Sequence, residues 1–318
     1  MNLNARVMQV RDEAIDIRSF ELASAGGEPL PPFTPGSHID LHLAPGLVRQ
    51  YSLCNGPKDV NTYRIAVKRE PASRGGSQFM HGTVKVGDEI AISAPRNNFA
   101  LKDNAGPTVL FAGGIGITPM ISMARHCEIG GRPWTLHYFT RSIAHTAFHE
   151  LLSERRFAGK VSLHYSAEPD AVRSYLRKTL WHRPDDAQLY LCGPRPFMDL
   201  VESTAAATWP PEAVNLEYFS ADAASLAGPR DTFTVRLART GGDFIIPADK
   251  SIVQALKEHG VEIETSCEQG VCGTCLTGVL EGEPDHRDVF LTDEEKRACD
   301  KMMCCVSRAK SELLTLDL

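Results

Sequence analysis

Six of the nine cysteines in the chain fall between residues 267 and 305. Three of them, Cys267, Cys272 and Cys275, are spaced C-x4-C-x2-C, and Cys305 follows after 29 further residues. This is the spacing of a plant-type [2Fe–2S] centre. Two ferric ions and their sulfides need four soft thiolates within a few ångströms of one another. One tight loop can supply three of them, and the fourth must arrive from elsewhere in the fold. The intervening Glu268-Gln269-Gly270-Val271 and Gly273-Thr274 are rich in small residues. Such a loop can wrap a cluster and aim backbone N–H groups at its sulfurs. A zinc site and inert buried thiols are the alternatives, but structural zinc ordinarily takes two C-x2-4-C pairs and the second is missing. A Rieske centre would need Cys-x-His and Cys-x-x-His elements, and neither occurs. Cys304 adjoins Cys305. Neighbouring side chains point in different directions and the spacing favours Cys305, so Cys304 and Cys299 are read as non-ligands.

Two further motifs carry cofactor chemistry. Ala112-Gly113-Gly114-Ile115-Gly116-Ile117-Thr118-Pro119-Met120 joins a predicted strand to a predicted helix. Its glycines let a pyrophosphate approach the backbone, and the helix N-terminus adds N–H groups and a favourable dipole. Thr118 and Pro119 suit the N-cap and first-turn positions. Pro119 stands where a G-x-G-x-x-G fingerprint has its last glycine, which disfavours an ordinary Rossmann dehydrogenase. Cys192-Gly193-Pro194-Arg195-Pro196 ends another predicted parallel strand, where the ligands of such sheets bind. Taken alone, the glycines could be structural turns and Cys192 a buried strand-end thiol. Thr140-Arg141-Ser142 is placed to meet an adenosine ribose. It offers no acidic 2′-OH binder, and Arg141 would tolerate a 2′-phosphate, so these residues leave NADH and NADPH both open.

The elements that must position these groups fall into three blocks. In the first hundred residues, Ile39, Leu41 and Leu43 alternate with His38, Asp40 and His42, as in a half-buried strand. Segments 64–67 and 89–92 are similar, and turn residues separate them, which predicts an antiparallel barrel. From Thr108–Ala112, a continuous apolar run of buried parallel-strand type, the pattern changes. Helices are predicted at 118–127, near 148–156 and at 196–207, alternating with strands at 135–139, 161–165 and 189–192. This is the signature of a doubly wound parallel sheet. Ser220–Arg230 is small and polar and reads as a linker. Strands at 233–237 and 243–246 and a helix at 252–258 then precede the cysteines. The expected domains are 1–103, 104–226 and 227–318.

Arg49-Gln50-Tyr51-Ser52-Leu53, Ile65-Ala66-Val67-Lys68-Arg69, Arg74-Gly75-Gly76-Ser77, Gly113–Met120 and Cys192-Gly193-Pro194 occur in the order found in ferredoxin reductase-type flavoproteins. With the C-terminal cysteines and Cys305-Val306-Ser307-Arg308-Ala309-Lys310, the whole chain resembles the phthalate dioxygenase reductase family. The resemblance implies a multidomain fold. Its parts are an N-terminal antiparallel six-stranded β-barrel for the flavin, an α/β doubly wound parallel sheet for the nicotinamide cofactor, and a C-terminal α+β β-grasp ferredoxin domain. It implies FMN, a [2Fe–2S] cluster and NADH as electron donor. It places Arg49 near the flavin phosphate, where a guanidinium makes charge-assisted bonds. Gln50, Tyr51, Ser52, Ala66, Val67 and Lys68 would surround the ring. A tyrosine ring can cover its apolar face, and a serine hydroxyl near N5 can supply a hydrogen bond. Arg74, Gly75, Gly76 and Ser77 would form the terminal-phosphate loop. No adenine-binding segment is evident, so with the resemblance this loop favours FMN over FAD. Cys192, with Gly193 and Pro194, would lie beside the nicotinamide C4. Gly113, Gly114, Thr118, Thr140 and Arg141 would hold the rest of the dinucleotide. Phe219 would lie against the flavin where nicotinamide stacks, or else serve as a core aromatic of the last strand.

The chain has 318 residues, a formal net charge of −6 and a pI near 6.0. That balance argues against nucleic-acid or anionic-membrane binding, which wants a basic surface. No stretch approaches the roughly 18 apolar residues of a membrane span, and the first residues lack a secretory h-region, so a cytoplasmic setting is expected. There is no G-x-S-x-G elbow, and Ser153 stands where H-E-x-x-H would have its second histidine after His149-Glu150. The acidic stretch Glu281–Glu295 reads as a solvated face or as a docking patch for an electron acceptor. NAD(P)H delivers two electrons as hydride and a plant-type cluster accepts one, so a flavin must stand between them. The resemblance makes the acceptor the Rieske-type terminal oxygenase of an aromatic-ring dioxygenase or O-demethylase system, served by a monomeric reductase. Two competing expectations are a redox sensor or carrier, and an FAD- and NADPH-dependent reductase serving another acceptor.

Overall fold

The structure, a computed structural model, describes all residues except 1, 2, 57, 60, 72, 73, 104, 105, 166, 167, 221–225, 227, 229 and 230. Most of the expected linker therefore lies outside the described residues. The chain divides into two units, Met1–Glu217 and Tyr218–Leu318.

The first unit opens with six antiparallel strands: β1 (Leu3–Ala14), β2 (Ile17–Ser24), β3 (His38–Ala44), β4 (Leu47–Ser52), β5 (Thr62–Lys68) and β6 (Glu89–Ile92). Their order is β4-β3-β6-β1-β2-β5. A bridge between Leu53 and Ile65 joins the two edges, as the expected six-stranded barrel requires. Inward residues such as Val7, Phe20, Leu22, Ile39, Leu41, Ile65 and Ile92 fill the interior. The expectation that β3 is half-buried needs correction, because His38 and Asp40 on its other face are buried as well. Asp40 is covered because Arg96 reaches it at 2.6 Å, and His38, pushed down to about 4 mainly by desolvation, stays neutral there. A short helix, α1 (Gly76–Gly82), packs beside β5, where His81 Nε2 lies 2.9 Å from the Val67 carbonyl.

The same unit continues as a five-stranded parallel sheet of β7 (Thr108–Gly113), β8 (Trp134–Thr140), β9 (Val161–Tyr165), β10 (Gln188–Cys192) and β11 (Val214–Glu217), in the order β11-β10-β7-β8-β9. Every residue of β7 is buried, as expected of a central strand with both faces covered. The helices are α2 (Ile117–Ile129), α3 (His149–Leu152), α4 (Pro169–Leu180) and α5 (Arg195–Ala205). The helix expected near 148–156 is broken. Phe148, left-handed at φ 59° with its ring buried, caps the short α3; the helix stops at Ser153 because Glu154 is extended (ψ 145°), and a separate 3-10 turn follows at Arg155–Phe157. The core of this sheet also takes in Ile17, Cys54, Ala66 and Phe99 from the barrel, so the two sheets share one apolar interior.

In the second unit, β12 (Phe233–Leu237), β13 (Asp243–Ile246), β14 (Leu276–Glu281), β16 (Lys301–Met303) and β18 (Leu313–Leu316) form a mixed sheet ordered β13-β12-β18-β14-β16. Only β12 and β18 pair in parallel. The small hairpin of β15 (Pro284–Asp285) and β17 (Arg308–Ala309) stands apart from it. Helix α6 (Ile252–Glu258) buries Ile252, Val253, Ala255 and Leu256. Capping boxes start α6 (Ser251 with Gln254) and α7 (Asp293–Ala298, Thr292 with Glu295). This is the α+β arrangement expected of a ferredoxin domain.

Candidate functional site

The four expected cluster cysteines do converge, and they do so in pairs. Cys267, Cys272 and Cys275 lie on the irregular segment that leads into β14. The segment curls because Glu268, Gly270 and Gly273 adopt φ of 50°, 69° and 81°. A Cβ on Gly270 would stand 2.6 Å from Val306, and one on Gly273 would stand 2.4 Å from the Phe290 ring, so only glycine fits at either position. Antiparallel pairing of β14 with β16 sets Leu276 opposite Met303 and lets Cys304 N–H donate to the Cys275 carbonyl at 3.3 Å. Cys305 is thereby delivered to Cys275. The thiols hydrogen-bond as Cys267–Cys272 and Cys275–Cys305. In the first pair the bond from Cys267 draws Cys272 down to about 5 and leaves Cys267 raised. In the second pair Cys275 is lowered and Cys305 raised for the same reason. Gln269 N–H donates to Cys267 Sγ at 3.3 Å, and the Gly270 N–H is directed at Cys305.

Among the described residues no three His, Cys, Asp or Glu side chains close on one point as a mononuclear ion would require. Two adjacent thiol pairs instead fit two irons that take two thiolates each. The donor set, soft sulfur with backbone N–H groups turned toward it, suits a [2Fe–2S] cluster held by Cys267, Cys272, Cys275 and Cys305. Cys304 turns away into the core, where it bonds Thr277 and burial pushes its thiol up to about 12. Cys299 donates to the Lys296 carbonyl. The acidic stretch 281–295 is not a uniform solvated face. Arg287 and Asp288 are buried, and Glu295 is engaged in the cap of α7.

The barrel collects the expected flavin residues around β4 and β5. Arg49 Nη2 donates to the Arg74 carbonyl at 2.6 Å, and Nη1 donates to the Val48 carbonyl. Gly75 takes φ 92°, and a Cβ on Gly76 would stand 2.4 Å from Arg49 Cγ, so the glycine turn lies directly on the arginine stem. Ser77 Oγ accepts from Glu70 N–H at 3.1 Å. Strand pairing sets Ser52 opposite His38 and Gln50 opposite Asp40, with Ser52 buried. Gln50 Nε2 is buried without a hydrogen-bond partner, an unmet donor of the kind that a polar ligand edge satisfies. Burial raises the Tyr51 phenol, so it stays protonated. Ala66, Val67 and Lys68 end β5, with Ala66 and Val67 buried. This cradle of a glycine turn, two arginines and an orphaned amide fits a flavin phosphate and ring.

At the C-terminal ends of the parallel strands the two glycine motifs interlock. A Cβ on Gly116 would stand 2.2 Å from the Cys192 carbonyl oxygen, and one on Gly193 would stand 3.0 Å from Gly113 Cα and 2.8 Å from the Phe197 ring. Pro194 and Phe197 also crowd Gly113, each 2.9 Å from where its Cβ would be, whereas Gly114, at φ 53°, faces open space. Thr118 is not the N-cap of α2. That position is Gly116, and Thr118, buried in the first turn with Pro119 behind it, donates back to the Ile115 carbonyl at 3.1 Å. The left-handed Gly114 starts a 3-10 turn that merges with α2 and moves its N-cap two residues earlier, from Thr118 to Gly116. Thr140 Oγ1 lies 2.8 Å from Thr146 Oγ1 and 3.2 Å from the Ser142 carbonyl, at the exposed Arg141 turn. Phe219, at the start of the second unit, is 40% exposed.

Glu217 is the residue whose importance the sequence reading missed. It pairs in register with Cys192, its Oε2 has no partner, and desolvation pushes its carboxyl up to about 8. The Cys192 thiol is likewise raised well above its ordinary value, chiefly by burial and then by the nearby Glu217. The available signal was a lone acid closing the otherwise uncharged strand Val214-Asn215-Leu216.

Residues 235–310 match the family described as a 2Fe-2S iron-sulfur cluster binding domain. The vanillate O-demethylase oxidoreductase of Pseudomonas putida is 44% identical over 99% of this chain and 100% of its own length. The phthalate dioxygenase reductase of Burkholderia cepacia is 41% identical over 99% and 97%. The chain belongs to the phthalate dioxygenase reductase family. A solved phthalate dioxygenase reductase, described as a modular structure for electron transfer from pyridine nucleotides to [2Fe–2S], superposes with a TM-score of 0.80 at 40% identity, covering 100% of this chain and 98% of that one. As a member of the phthalate dioxygenase reductase family the chain is an oxidoreductase, and the expected barrel, doubly wound sheet and C-terminal iron–sulfur domain are all present. No helix among the described residues is long and apolar enough to cross a membrane.

Proposed function

We propose that this chain is the NADH-dependent reductase component of a Rieske-type oxygenase system, an aromatic dioxygenase or an O-demethylase, and that it carries FMN and a [2Fe–2S] cluster. The observation that carries the reading is the coexistence of two thiol pairs suited to two irons with the interlocked Gly113–Gly116 and Cys192–Gly193 turns. When bound, FMN accepts hydride and releases electrons singly, which is what a one-electron cluster requires.

The protein's own residues bind and orient. Arg49, Arg74, Gly75, Gly76 and Ser77 hold the flavin phosphate, while Gln50, Tyr51, Ser52, Ala66, Val67 and Lys68 line its ring. Gly113, Gly114 and Thr118 let the dinucleotide pyrophosphate reach the start of α2, Thr140 and Arg141 meet its ribose, and Cys192, Gly193 and Pro194 bound its nicotinamide. Burial pushes Glu217 up to about 8 and raises Cys192, so both stay largely uncharged at neutral pH. The functional segments are 1–103, 104–226 and 227–318, in a cytoplasmic monomer.

A redox sensor or carrier would need no complete nicotinamide site, and the interlocked turns favour turnover. The test is acid extraction and chromatography of the pigment, followed by anaerobic titration with NADH and with NADPH. The proposal expects FMN, with both the flavin and the cluster reduced by NADH. Extraction of FAD, or reduction by NADPH alone, would favour the ferredoxin-type reductase alternative.

A further inference from the structure

We infer that Asp288 is a positioning residue for the iron–sulfur centre: it fixes the turn that holds Gly270 against Cys305, and its buried carboxylate places a negative charge beside the cluster. The inference rests on the cluster reading above. Asp288 lies outside the cysteine motif, yet its side chain is fully buried. Its Oδ2 accepts from the N–H groups of Phe290 at 3.1 Å and Leu291 at 2.8 Å, which closes a tight turn. Its Oδ1 accepts from Ser307 Oγ at 3.4 Å, and that hydroxyl in turn accepts from Arg287 N–H at 3.2 Å. Ser307 is two residues beyond Cys305, and its N–H is fixed to the Met303 carbonyl at 3.0 Å. The turn therefore grips the segment that brings in the fourth sulfur.

It grips the cysteine loop as well. Val289 N–H donates to the Gly270 carbonyl at 3.1 Å. A Cβ on Gly270 would stand 3.0 Å from both Cα and Cβ of Asp288 and 2.6 Å from Val306. Gly270 is thus clamped between Asp288 and the neighbour of Cys305, which leaves its N–H aimed at the Cys305 sulfur. Hydrogen bonds to cluster sulfurs and nearby fixed charges both tune the potential.

Among the described residues no Lys or Arg side chain is ion-paired with the Asp288 carboxylate. Lys296 Nζ donates to its main-chain carbonyl at 2.8 Å rather than to the carboxylate. His286, 3.7 Å away, is lowered mainly by desolvation, which favours the neutral ring. A buried negative charge beside a cluster disfavours the added electron and holds the potential down.

The experiment compares the parent holoenzyme with Asp288→Asn and Asp288→Ala, by redox titration of the cluster followed by EPR and by amide hydrogen exchange. Asp288→Asn keeps the shape and removes the charge. It should move the midpoint in the oxidising direction by roughly tenfold in the one-electron equilibrium, about 59 mV. Asp288→Ala should lose at least tenfold of the exchange protection at Gly270 and Val271. If that variant does not fold, Ser307→Ala supplies the same exchange readout. An unchanged potential in Asp288→Asn, or unchanged protection once the side-chain anchor is removed, would overturn the inference. A parent protein with no reduced-cluster EPR signal would overturn the cluster reading instead.

Discussion

Cys275 and Cys305 meet thiol to thiol across 29 intervening residues, because the antiparallel pairing of β14 and β16 carries the second to the first. Cys304, one residue earlier, faces Thr277 in the core. Cys305→Ser should therefore abolish the brown colour and the EPR signal of the reduced cluster. Cys304→Ala should retain both and cost about 1–2 kcal/mol of stability, the price of a small buried side chain. Visible absorption and EPR of the purified variants check this.

Gly116 faces a backbone oxygen that cannot move aside. Gly116→Ala should cost about 1–3 kcal/mol or more and slow flavin reduction by NADH at least tenfold, because the turn that receives the dinucleotide is displaced. Gly82→Ala is the control. It has open space around it and an unexceptional backbone, so it should stay within about 0.5 kcal/mol of the parent. Thermal unfolding and stopped-flow absorbance measure both.

Gly76→Ala meets a side chain rather than backbone, so the fold should survive while Arg49 is pushed off the Arg74 carbonyl. FMN affinity should fall roughly tenfold, as it should in Arg49→Lys, which keeps the charge and loses the planar fork. Fluorescence titration of the deflavinated chain with FMN reads the loss. Unchanged affinity in both variants would remove Arg49 from the phosphate site.

Glu217 gives a pH signature. Its folded pKa is raised to about 8 from an ordinary value near 4.5, so between those values the unfolded chain has released a proton that the fold retains. Its contribution to stability is fully present below about 4.5 and declines as pH rises toward 8, by at most roughly 1.4 kcal/mol per unit. Glu217→Gln lacks this slope. Its stability relative to the parent should grow from pH 5 to pH 8 and then level off, as measured by denaturant unfolding across that range. A constant difference would mean that Glu217 is ionised at neutral pH.

Much of the fold could be read directly in the chain. The apolar run of β7, the spans of β6, β9, β12, β13 and α6, and the cysteine spacing all follow from local patterns that tertiary packing did not overrule. What could not be read depends on contacts distant in sequence. The expected helix breaks where Glu154 turns extended, and the 3-10 turn that follows carries the buried Phe157. Thr118 loses the N-cap to Gly116 because Gly114 begins a turn in advance of the helix. Asp288 looks like one acid among many until Gly270 and Ser307 close around it. The meeting of Cys275 with Cys305 is a property of the β14–β16 register, which no spacing states.

Electrons enter from NADH at a flavin and leave singly through the cysteine cluster. Rapid mixing of the anaerobic holoenzyme with NADH, followed at flavin and cluster wavelengths and by freeze-quench EPR, tests it most directly. Flavin absorbance should fall first and a reduced [2Fe–2S] signal should follow it, with the second step absent in Cys305→Ser. Flavin bleaching with no later cluster reduction in the parent protein would contradict it.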